Sequence, residues 1–90
     1  MTNKKDLKRT INYICSDLFA ECVAASLYSG KPNEANVNAL LACILQTQED
    51  YVKRISHPEP GMKPKEYFHD LIMNFNKQVD EIVDQICNLD

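Results

Sequence analysis

Along the last third of the chain, Phe68, Ile72, Phe75, Val79, Ile82, Ile86 and Leu89 recur at alternating four- and three-residue spacing. On a helix this spacing aligns all seven side chains in one seam. Residues 3–29 carry a second seam through Leu7, Ile11, Ile14, Leu18 and Ala25, flanked by Cys15, Phe19 and Cys22. Residues 34–56 carry a third through Val37, Leu41, Ile44, Tyr51 and Ile55, with Leu40, Leu45 and Val52 beside it. Nothing alternates with period two for long enough to make a strand.

The breakers fall between these stretches. Glycine and proline are absent from 3–29, 34–56 and 65–90. Gly30 suits the left-handed position after a helix, and Pro32 stops that helix from continuing. Between His57 and Pro64 stand three prolines and a glycine, which no helix interior tolerates. Pro64 fits the first position of the next helix, where its missing N–H costs nothing. Asn3 is a candidate N-cap, with Asp6 three residues on. The chain is therefore expected to be all-α and one domain over 1–90, with helices at about 3–29, 34–56 and 64–89. Short connections make consecutive helices antiparallel, which gives an up-down-up three-helix bundle. The alternative is a bundle completed by dimerisation.

Composition adds limits rather than a function. Apolar residues make up 44% of the chain and charged residues 26%, too apolar a balance for a disordered segment. The basic residues near the start have no apolar stretch behind them, so no secretory signal is read. The longest apolar run, Ala39 to Leu45, is far too short for a membrane span. A cytoplasmic protein with no membrane partner is expected. Cys15 and Cys22 lie two helical turns apart, about 10.5 Å at 1.5 Å per residue, which is too far for a disulfide. Cys15, Cys22, Cys43 and Cys87 are read as buried, reduced thiols that pack as small hydrophobes.

Charge is unevenly spread. In the expected bundle, residues 1–12 and 50–68 share one end. That end holds Lys4, Lys5, Lys8, Arg9, Lys53, Arg54, Lys63 and Lys65 against four acids, a net +4. The remainder holds two basic residues against nine acids, a net −7, and the whole is −3. Helix dipoles favour Lys53 and Arg54 at a C-terminus but disfavour Lys4 and Lys5 at an N-terminus. The basic end is thus a candidate anion-binding site, with nucleic acid or another polyanion as partner.

Helices 1 and 2 also hold more apolar surface than one stripe requires. Residues 39–45 are apolar on every side, and helix 1 carries several small apolar residues at about the same level. Ala20, Val23, Ala24, Leu27, Ala39, Leu40, Ala42 and Cys43 form the candidate interface, for a homodimer or for a helix of another protein. Glu21 and Gln48 interrupt the two seams. Glu21 is expected to pair with Lys77 or Gln78 across the bundle and so help set register.

Catalytic constellations are missing. Glu66 and His69 have the Glu-x-x-His spacing of carboxylate-bridged di-iron bundles, but that chemistry needs two such motifs and further glutamates. His57 and His69 fall at the end away from Cys22, Cys43 and Cys87, so neither a zinc site nor a Cys–His pair assembles, although Cys22 and Cys43 could share a level. Both glycines serve turns, which leaves no phosphate-cradling loop. The expectation is a non-enzymatic helical bundle without cofactor or metal. It would act through protein–protein contact, most simply as a homodimer.

Overall fold

A computed structural model describes residues 4–28, 30 and 33–89. It is a three-helix bundle, with α1 over Lys4–Tyr28, α2 over Glu34–Ser56 and α3 over Pro64–Cys87. No strand occurs among the described residues, and the body measures 48 × 20 × 16 Å. All three helices touch one another; the α1–α2 hairpin is the most extensive pairing and α1–α3 the least. The candidate cap Asn3 lies outside the described residues.

Local chemistry sets the helix ends. Gly30 has φ of +73°, and a Cβ there would meet no atom within 4 Å, so backbone conformation and not space requires glycine. Asn33 caps α2: its Oδ1 accepts from the Asn36 amide at 3.2 Å, and its carbonyl accepts from Val37 N–H at 3.0 Å. Pro64 opens α3, and the Tyr67 amide donates to the Lys63 carbonyl at 2.9 Å. The Tyr67 hydroxyl donates to the Arg54 carbonyl at 2.9 Å, tying the start of α3 to the end of α2 across the proline loop.

Cross-helix contacts fix the register. Gln48 Nε2 donates to Asn12 Oδ1 at 2.8 Å, so these residues stand level on α1 and α2. Tyr51 meets Phe75 edge-to-face at 5.2 Å between ring centroids. Gln78 lines one α2–α3 groove with Cys43, Thr47 and Tyr51, and Gln85 lines another with Asn36 and Leu40. Glu21 lies nine residues along α1 from Asn12, about 13 Å at 1.5 Å per residue, whereas Gln78 stands near the Asn12 level. The expected pairing of Glu21 with Lys77 or Gln78 is therefore wrong, and Glu21 is exposed. By the same register Cys22 is level with Asn38 and not with Cys43, so those two thiols do not share a level.

The core runs through Leu7, Ile11, Cys15, Leu18 and Cys22 of α1, then Val37, Leu40, Ile44, Tyr51 and Ile55 of α2. From α3 it takes Leu71, Phe75, Ile82 and Ile86. Among the described residues Thr47 is the buried polar one, satisfied by donating to the Cys43 carbonyl at 2.8 Å. In α1 the buried line passes through Cys15 and Cys22, with Ile14 and Ala25 only half-buried. In α2 it takes Leu40, while Leu41 is half-buried and Leu45 exposed.

The α3 seam departs from expectation in an instructive way. Ile72 is 39% exposed, Val79 is half-buried and Ile86 is buried. Conversely Leu71, outside the expected seam, is buried, while Gln78 is half-buried and Gln85 exposed. A strict seven-residue repeat drifts by about 20° per heptad on a straight α-helix. Row 72–79–86 drifts into the core, as row 71–78–85 drifts out of it. Hence Leu71→Ala is expected to cost about 2–5 kcal/mol, as for a buried leucine. Ile72→Ala should cost no more than about 1 kcal/mol. Urea unfolding followed by circular dichroism separates the two, and equal losses would contradict the drift.

Candidate interaction surface

The Asn12–Gln48 hydrogen bond marks the flank of the hairpin that faces away from α3. The opposite flank of α2, through Cys43, Thr47 and Arg54, is the one that meets α3. From Asn12, spacings of three and four residues lead along α1 through Lys5, Lys8, Ser16, Phe19 and Val23. From Gln48 they lead along α2 through Glu34, Asn38, Leu41, Leu45 and Val52. Phe19, Leu41 and Val52 are half-buried, Val23 is 37% exposed and Leu45 is 53% exposed. Leu45 and Val52 border a shallow depression with Asn12, Gln48 and Glu49. The result is an apolar strip between two helices, bounded by Lys5 and Lys8 at one end and Glu34 at the other.

The residues expected to form an interface do not share one patch. Val23 lies on this strip, and exposed Ala20, Leu27 and Ala42 stand near its margins. Ala24 is exposed on the outer side of α1. Ala39 and Cys43 instead border the α2–α3 grooves. Leu40 is only 4% exposed and belongs to the core. Phe19, Leu41, Leu45 and Val52 were missing from the expected set. Their signal was present as the 41–45–52 spacing, but it competes with the core row one residue away.

The basic end is less bare than the sequence alone suggests. Lys4, Lys5, Arg9, Lys63 and Lys65 are exposed and Lys8 is half-buried. Lys53 pairs with Glu49 at 3.6 Å, and Arg54 with Asp50 at 3.8 Å. Both pairs are well exposed, so they add little stability but compensate charge. Since Glu49 belongs to this end through Lys53, its net charge falls from +4 to +3. The Arg54 guanidinium also stacks over the Tyr51 ring, 4.9 Å from its centroid.

No group of three or more metal-ligating side chains assembles among the described residues. Glu66 and His69 are exposed on the first turns of α3. No helix among the described residues is long and apolar enough to cross a membrane. All four cysteines are free. Burial pushes the Cys15 and Cys22 thiols above their ordinary value by desolvating the thiolate. Cys43 is half-buried and Cys87 exposed, so the expectation of four buried thiols holds for only two.

Comparison with known proteins finds no family model, curated protein or solved structure that matches this chain.

Thiol titration at neutral pH is expected to modify Cys87 fastest and Cys43 more slowly. Cys15 and Cys22 should react only after denaturation, because the reactive species is the thiolate and burial suppresses it. Mass mapping of the labelled peptides checks the order. Prompt labelling of Cys15 in the folded chain would contradict its place in the core.

Proposed function

We propose that this protein is a non-enzymatic helical module that works through protein–protein contact, and that the outer face of the α1–α2 hairpin is its contact surface, used to form a homodimer. The observation that carries this reading is the strip through Phe19, Val23, Leu41, Leu45 and Val52. It runs along both helices of the hairpin on the side that α3 does not cover. A three-helix bundle requires one apolar stripe per helix. α2 already has such a stripe from Val37 to Ile55, and its second row is additional: Leu41 and Val52 pack against the core only in part, and Leu45 is 53% exposed. A contiguous apolar patch rimmed by polar residues is the usual mark of an interaction site. Cytoplasmic residence accords with this reading.

Substituting Leu45 tests it directly, since a side chain 53% exposed can be changed without opening the core. Sedimentation velocity of the wild-type chain is expected to give twice the 10.3 kDa chain mass at micromolar concentration. Leu45→Glu is expected to sediment as a monomer with unchanged helical content by circular dichroism. A wild-type chain that remains monomeric at hundreds of micromolar would dismiss the homodimer.

A further inference from the structure

We infer that a second copy of this chain docks on the hairpin face in antiparallel orientation, about a two-fold axis perpendicular to the bundle, so that Lys8 of each copy meets Glu34 of the other. The inference rests on the homodimer reading above and adds its geometry. Counting outward from the Asn12–Gln48 bond, Lys8 stands level with Val52 and Phe19 with Leu41, while Ser16 lies within one residue of the Leu45 level and Val23 within one residue of the Asn38 level. Glu34 closes the far end of the α2 row. The strip therefore reads basic, polar, apolar, polar, acidic from one end to the other.

That order is what distinguishes the two ways of packing the face on itself. A two-fold axis parallel to the helices would set Lys5 and Lys8 against the same lysines of the other copy, and Glu34 against its own twin. Like charges opposed in this way disfavour association. A perpendicular axis between Leu45 and Phe19 removes both clashes. It lays Leu45 over Leu41 and Phe19 over Ser16 of the second copy, and brings Lys8 and Glu34 to one level across the seam at both ends. Self-complementarity of this kind is the requirement of an isologous interface. Neither Lys8 nor Glu34 has an ion-pair partner among the described residues of its own chain. The four packed helices would then form an antiparallel layer, with each α3 outside as a buttress.

A charge-exchange cycle read by sedimentation tests the orientation. Lys8→Glu alone and Glu34→Lys alone should each weaken the dimer by about tenfold, since each replaces two attractions with two repulsions of roughly surface-pair strength. The double variant should recover most of the wild-type affinity. An independent readout uses chains with one accessible cysteine, introduced in a Cys43→Ser, Cys87→Ser background in which Cys15 and Cys22 stay buried. Under mild oxidation, a mixture of Lys8→Cys and Glu34→Cys chains should yield the mixed disulfide, while either chain alone should not. A dimer that ignores the charge changes, or in which Lys8→Cys links to its own twin, would overturn the antiparallel geometry and leave the dimer standing. A wild-type monomer at every concentration would overturn the dimer itself.

Discussion

Everything in this bundle depends on α2 lying against two neighbours at once. The row from Val37 through Leu40, Ile44, Tyr51 and Ile55 is buried because α1 closes over one side of it and α3 over the other. Ile44 and Ile55 are almost wholly enclosed, and the Tyr51 ring locks against Phe75. α1 and α3 touch each other least, so α2 is the element through which the other two are held together. Burial of this central row supplies the non-directional driving force. The polar contacts at its margins, from Gln48 to Asn12 and from Tyr67 to the Arg54 carbonyl, select one register among those that apolar packing alone would allow.

The same arrangement explains why a surface strip remains. A helix can present only so much of its circumference to two neighbours. α2 has a core row, a flank of Cys43, Asp50 and Arg54 toward α3, and a second apolar row beyond α1. With no fourth helix among the described residues, Leu41, Leu45 and Val52 are left between core and solvent. Charge then differentiates the ends of that strip, since Lys5 and Lys8 precede the apolar part of α1 while Glu34 opens α2 at the opposite end. Glu34 is also where the α2 dipole favours an acid. Its position is thus explained twice, by the helix that bears it and by the asymmetry it gives the face.

The helices and their direction were legible in the sequence because glycine and proline interrupt the chain where the apolar period breaks. Gly30 and the segment from Pro58 to Pro64 say where helices stop, and short connections then force antiparallel neighbours. The rotation of each helix was harder to read. Spacing identifies a row of apolar residues but not which of two adjacent rows faces inward. In α2 the row containing Leu40 and the row containing Leu41 satisfy the same periodicity, and only the position of α3 decides between them. For that reason the spacing points Leu40 toward a surface it does not occupy and sets Leu45 beside the core row although it is exposed. Glu21 meets a related limit, since spacing along one helix carries no measure of the axial register that the Asn12–Gln48 bond sets. The compensation of Lys53 and Arg54 by acids one turn earlier likewise depends on three-dimensional placement.

The drift of the α3 seam sets a natural length for the molecule. Across the three heptads of α3 the apolar row turns by about 60° relative to a straight axis. It begins outside the core, where Ile72 is 39% exposed, and has entered the core by Ile86. One more heptad would carry the row past the core and onto the α2 flank, where Gln78 and Gln85 already mark the boundary. A longer version of this bundle would have to supercoil or change its repeat, whereas helices of 23 to 25 residues can remain straight and still close over one core.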